Sequence, residues 1–313
     1  MKPVGVSRIV VLFLFVALSL WGAEYYIERF GNLNKCDIVK TTGDWHLFKD
    51  YWGVDDSTYG SGGGKTLPET VFVSVAGIPV SFAQRGPFAY ICGYGGNFMI
   101  YRVDSMRVTG QITCDARDVA VQGNFAYVCD GGTSFRVLSI YDPYNIQTRA
   151  NLSLTCKAVA VRGKYAFVAG GSIGLISVDI SDTSNPVPKD TASWMSTRDA
   201  IDIDVFGDYA FVLDGTNKTL VTVNISDPTN LGTPNIMSPP YGTAPRRLFV
   251  SGYKAYITLQ DVVSVVNIKN PASPSRNSSE QPVLKLGGAS YGGSGVYKWG
   301  QWLFVANNDS GII

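Results

Sequence analysis

Apolar and polar positions alternate in short bursts along most of this chain. VAV at residues 119–121 and again at 159–161 precedes a glycine, and an aromatic-rich apolar burst follows each glycine. Alternation with period two, interrupted every few residues by Gly, Asp, Asn or Pro, predicts short strands joined by hairpins. The bursts recur. They read GPFAYI from Gly86, GNFAYV from Gly123, GKYAFV from Gly163 and GDYAFV from Gly207, with weaker copies GYKAYI from Gly252 and GQWLFV from Gly300. The steps are 37, 40, 44, 45 and 48 residues, and a degenerate copy, GDWHLF from Gly43, stands 43 residues before Gly86.

Each unit predicts the same order of elements. An alternating inner strand leads into the glycine turn, and the aromatic strand follows. A third strand reads LISVDI from Leu175, LVTVNI from Leu220 and VVSVVNI from Val262, closed by SDTSNP, SDPTN and KNPASP turns. The stretch before the next unit can supply a fourth strand. Four strands in about 40 residues make one propeller blade, which buries both faces only by packing on its neighbours in a ring.

These units resemble LVIVD repeats, named for their third strand. The best copies span residues 163–228, and the resemblance covers 78–313, or 36–313 with the degenerate unit. It implies an all-β fold, a β-propeller of four-stranded blades, in exported or surface-associated proteins with no defined chemistry. A fold transfers by such a resemblance more firmly than a function. Seven glycine anchors predict seven blades, with six or eight as alternatives. The last blade is expected to be incomplete, through a chain that continues past Ile313, or to be closed by the N-terminal strand YYIERF from Tyr25.

Residues 1–23 read as a signal peptide: Lys2 and Arg8 precede an apolar run from Ile9 to Trp21, and Gly22 and Ala23 offer a peptidase site. The run is shorter than the roughly 20 residues of a membrane span. The chain is therefore expected to be secreted or held at the cell surface, with no membrane span after cleavage. An uncleaved anchor is the alternative. Residues 24–313 form the repeat domain, of which 36–77 are the degenerate first unit and 78–313 the clearer ones.

Five cysteines lie beyond the signal, which suits an oxidising compartment. Cys92 and Cys129 both end an aromatic strand, and Cys114 and Cys156 both stand just before an inner strand. That register predicts two inter-blade disulfides, Cys92–Cys114 and Cys129–Cys156, each worth about 3 kcal/mol by the chain-entropy model. Buried free thiols are the alternative; a four-cysteine metal site is a poorer one, because no Cys-x-x-Cys pair occurs. Cys36 has no assigned partner. Asn151, Asn217, Asn224, Asn277 and Asn308 begin N-x-Ser/Thr triplets, acceptors only in a eukaryotic host.

Twenty-six basic against 25 acidic residues, with no basic groove, leave nucleic acid unsupported as a partner. Three motifs match known chemistry only locally. The run at 288–292 fits GxSxG but lacks a strand–turn–helix setting and a histidine base. The glycine run at 60–66 misses the phosphate-loop spacing. His46, the single histidine, stands beside Trp45 and suits half-buried packing better than metal or proton chemistry. No catalytic residue, metal site or cofactor is expected.

Ligand contacts are expected at the mouth of a central channel, where Arg117, Asp118, Arg198, Asp202, Arg246 and Arg247 precede or begin inner strands, with Lys157 and Asp199 beside them. The competing reading is that these charges pair with one another. Aromatics near Tyr241, Tyr291, Trp299 and Trp302 offer a second contact face, against ordinary blade packing. The function expected is a non-enzymatic extracellular or cell-surface interaction module, binding protein or carbohydrate. The alternatives are a propeller hydrolase or lyase using Asp118 and Asp202, five residues before their glycines, and a scaffold region of a larger exported protein.

Overall fold

The computed structural model describes residues 25–27, 37–41, 44–48, 71–73, 78–102, 107–237, 243–259, 262–276, 284–285, 293–299, 302–307 and 311–312. Five four-stranded antiparallel sheets follow one another, with each chain segment pairing onto the last. Blade 1 is β5 (Ile78–Arg85), β6 (Phe88–Tyr94), β7 (Asn97–Arg102) and β8 (Arg107–Thr113). Blade 2 is β9 (Ala116–Gln122), β10 (Phe125–Asp130), β11 (Ser134–Ser139) and β12 (Gln147–Ser153). Blade 3 holds β13 (Ala158–Arg162), β14 (Tyr165–Ala169), β15 (Leu175–Asp179) and β16 (Val187–Ala192). Blade 4 holds β17 (Ala200–Phe206), β18 (Tyr209–Asp214), β19 (Thr219–Asn224) and β20 (Asn235–Ile236). Blade 5 runs β21 (Arg247–Ser251), β22 (Lys254–Thr258), β23 (Val262–Asn267) and β24 (Leu284–Lys285), and a sixth, three-stranded sheet runs β25 (Gly293–Trp299), β26 (Trp302–Asn307) and β27 (Gly311–Ile312).

The N-terminal strands are β1 (Tyr25–Ile27), β2 (Asp37–Thr41), β3 (Asp44–Phe48) and β4 (Val71–Val73). β2 and β3 form the hairpin of the degenerate unit, and β2 lies beside β27. β1 pairs with β4, Tyr25 opposite Val73. This corrects the alternative in which Tyr25 and its neighbours close the last sheet as an outer strand: the YYI segment pairs with VFV at 71–73 instead.

Why these residues build blades follows from burial. The two central strands of a sheet are covered on both faces, so β15 is buried along nearly its whole length and reads as an apolar run broken by Ser177. The outer strand faces solvent, and β16 is correspondingly polar and mostly exposed. Each seam between neighbouring blades holds its own apolar cluster. Between blades 3 and 4, for instance, Phe167, Leu175 and Ala169 meet Ile203, Val212, Val221 and Val223. Hydroxyls add polar links at the same depth: Ser177 Oγ donates to Pro228 O of the next blade at 2.6 Å, and Thr222 Oγ1 donates to Pro271 O at 2.6 Å. Successive inner strands, β5 to β9 to β13 to β17 to β21 to β25, lie side by side and bring their channel-facing residues together.

Candidate functional site

The position five residues before the hairpin glycine is occupied in turn by Ser81, Asp118, Ala158, Asp202 and Arg247. All five are on inner strands. Asp118 joins three blades, because its Oδ1 accepts from Ser81 Oγ of blade 1 at 2.6 Å and its Oδ2 from Val159 N of blade 3 at 2.8 Å. Asp202 makes a like link two blades on: Oδ2 accepts from Leu248 N of blade 5 at 2.7 Å and Oδ1 from Ile203 N at 3.1 Å. Two residues further along the same face, Asp204 accepts from Val250 N at 2.7 Å and from Val205 N at 2.8 Å.

One cation, Arg247, serves two of these carboxylates, Asp202 and Asp118. Arg247 Nη1 lies 3.8 Å from Asp202 Oδ1, and Nη2 donates to Val80 O of blade 1 at 2.9 Å, so its guanidinium reaches from blade 5 to blade 1. Burial raises the pKa of Asp202 to about 7, with Asp118 adding to the rise while Arg247 and the backbone N–H groups oppose it. Asp204 is raised to about 6, chiefly by burial, and Asp118 is raised by the same cause.

The structure divides the expected mouth residues into two groups. Asp118, Asp202 and Arg247 meet inside the channel. The others are held locally. Arg117 pairs with Asp115 at 3.0 Å, its guanidinium 5.0 Å from the centre of the Tyr94 ring. Lys157 bridges to Asp199 of the next blade at 2.5 Å. Arg198 donates to the carbonyls of Trp194 and Met195, at 2.8 and 2.5 Å, and clamps its own loop. Arg246 is exposed. The competing reading of the mouth charges, that they pair with one another, therefore describes Lys157 with Asp199 and Arg247 with Asp202, while Arg117 pairs with Asp115 outside that set. Tyr241 and Tyr291 lie outside the described residues, as do residues 1–23, Cys36 and the runs at 60–66 and 288–292. Trp299 and Trp302 are register partners across the β25–β26 hairpin, and His46 of β3 is the register partner of Val39 of β2.

Sequence reasoning missed Ser81 and Asp204, and with them most of the channel's chemistry. A signal was available in AIDIDVF, where two aspartates alternate with apolar residues on one strand. It also missed a buried cluster around Asp214, whose carboxylate accepts from Trp194 Nε1 at 2.6 Å and Asn217 Nδ2 at 2.7 Å. No local pattern marks that meeting of the β16–β17 and β18–β19 loops. Among the described residues, no group of three or more His, Cys, Asp or Glu is placed to hold a metal ion, and no helix is long and apolar enough to cross a membrane.

One of the two expected disulfides is present. Cys129 and Cys156 are bonded, with Cα atoms 5.0 Å apart, across the seam of blades 2 and 3. Cys92 and Cys114 are both buried free thiols, and Cys114 Sγ lies 3.7 Å from Ile112 O within hydrogen-bonding reach.

A succession of four-stranded antiparallel blades with inner strands converging on a channel defines a β-propeller, and solved structures agree. The β-propeller domain of Cps50 (Swd1) from Myceliophteria thermophila is 10% identical with a TM-score of 0.52, covering 76% of this chain and 85% of that one. BamB from Moraxella catarrhalis is 10% identical with a TM-score of 0.54, over 77% and 84% of the two chains. A functionally unknown protein from Desulfotomaculum acetoxidans DSM 771 is 12% identical with a TM-score of 0.60, over 90% and 94%. Such identities carry the fold alone. More specifically, residues 114–147, 155–191 and 197–236, in blades 2 to 4, match the LVIVD repeat model three times in succession. No curated protein matches the chain in sequence.

Proposed function

We propose that this chain is an exported, seven-bladed LVIVD-repeat propeller that presents protein- or carbohydrate-binding surfaces at the cell exterior and performs no catalysis in its channel. The observation that carries this reading is the use of the inner-strand carboxylates. Both oxygens of Asp118, of Asp202 and of Asp204 accept hydrogen bonds from the protein itself, and each residue ties its blade to the next. Carboxylates so engaged hold a ring together; a general acid or base needs an oxygen within reach of substrate. The place of the β2–β3 hairpin beside β27 supports a seventh unit between the last sheet and blade 1. The apolar leader and the Cys129–Cys156 bridge support export.

A propeller hydrolase or lyase is the second reading. It draws on Asp202, whose pKa of about 7 in a channel is what acid–base chemistry at neutral pH requires. Turnover of ester, glycoside and peptide panels by the native chain and by Asp202→Asn separates the two. The scaffold reading expects no turnover above buffer from either protein. Saturable turnover by the native chain, abolished in Asp202→Asn, would establish the enzyme.

A further inference from the structure

The seam between blades 1 and 2 places its cysteines and their aromatic neighbours as the seam between blades 2 and 3 does. Cys92 and Cys129 each stand six residues past their hairpin glycine, opposite Phe98 and Phe135 on the neighbouring strand. Those phenylalanines stack on Tyr90 and Tyr127, with centroids 6.4 and 6.1 Å apart and planes 18° and 19° apart. Cys114 and Cys156 each stand two residues before an inner strand, and their amides donate to Gly96 O and Gly132 O. At the second seam this arrangement holds a bonded pair. At the first, the two thiols share one apolar cluster, and Cys114 is near enough to add to the rise of the Cys92 thiol's pKa.

We propose that Cys92 and Cys114 are a second inter-blade disulfide site, closed by exchange with a low-molecular-weight disulfide while the seam between blades 1 and 2 is open. One cysteine thiolate attacks the small disulfide, forming a mixed disulfide and releasing one small thiol. The other thiolate then attacks the protein sulfur of that mixed disulfide and releases the second. The two cysteines lose two protons and two electrons, and the small disulfide gains them as two thiols. The seam must be open because the thiolate is the attacking species. In the closed fold Cys92 is wholly buried and Cys114 is 6% exposed, and burial pushes the Cys114 thiol up to about 11 and that of Cys92 well above its ordinary value. The site is independent of what the propeller binds.

Tryptic digestion separates the four sulfurs: Cys92 falls on residues 86–102, Cys114 on 108–117, Cys129 on 118–136 and Cys156 on 150–157. The full chain, reduced and unfolded, is refolded in reduced and oxidised glutathione, then denatured, alkylated and mapped without reductant. Peptides 86–102 and 108–117 are expected joined, alongside 118–136 joined to 150–157, with an intact mass about 4 Da below the reduced chain for the four hydrogens lost. Recovery of 86–102 and 108–117 as separate alkylated peptides, or either joined to the Cys36 peptide, would overturn the assignment. Folded reduced protein under the same glutathione should close this bridge at least tenfold more slowly than refolding chain. Equal rates would overturn the requirement for an open seam.

Discussion

At the scale of single residues, the hairpin glycine explains why the repeat can be read at all. Gly163 is the first of two loop residues between Arg162 and Tyr165, with a φ of +60°, and an added Cβ would meet nothing within 4 Å. Space does not demand glycine there; the left-handed backbone does, because an L residue pays about 1–2 kcal/mol for it. Gly163→Ala should therefore lower stability by about that amount, with little change in the cooperativity of urea unfolding. A larger loss would point to a packing role that the open surroundings do not show. The same turn recurs at Gly86, Gly123, Gly207 and Gly252, so a backbone requirement with one chemical solution became a visible period. Asp214 shows the reverse. Asn217, three residues on, is a local partner, but Trp194 and the Asp199 amide come from the β16–β17 loop, and only the fold makes them neighbours of Asp214.

At the scale of elements, the inner strands carry both cohesion and a titration. Asp202 and Asp204 bind protons in the fold at pH values where the unfolded chain has released them. Groups raised in this way stabilise fully below their unfolded pKa, and the contribution is lost as pH rises through about 6 and 7. Asp179 and Asp227, held low by hydrogen bonds from Ser181 and Thr229, act in the opposite sense, but only at more acid pH. Between pH 5 and 8 the raised pair governs, and the melting temperature should fall by several degrees as pH rises. Asp202→Asn removes the charge and keeps an acceptor for Leu248 N–H, so its fall should be shallower. A native melting temperature that rises across that window, unaltered in the variant, would show that these strands titrate otherwise. The strand order and the third strands were legible because their apolar runs repeat. The channel was legible only in part, since Asp118 and Asp202 align by spacing, while Ser81 and Asp204 act through a neighbouring blade and Arg247 reaches Val80 from blade 5 to blade 1.

At the scale of the whole molecule, a ring of weakly similar blades needs devices that keep neighbours in register. Apolar seams supply cohesion without direction. The Ser177–Pro228 and Thr222–Pro271 bonds, the Cys129–Cys156 bridge and the inner-strand carboxylates supply direction. Asp118 is the most connected of them, since it reaches blades 1 and 3 and faces Arg247 of blade 5. Removing a carboxylate from an active site commonly leaves stability unchanged or raises it, because such groups are held there for chemistry. Removing one that links blades strands its donors. The most direct test is the thermal and urea unfolding of Asp118→Ala at pH 7. With Ser81 Oγ and Val159 N–H left unpaired, the account predicts a loss of about 2–4 kcal/mol and a clearly lower melting temperature. A melting temperature equal to the native value, or above it, would contradict the reading of these carboxylates as links between blades.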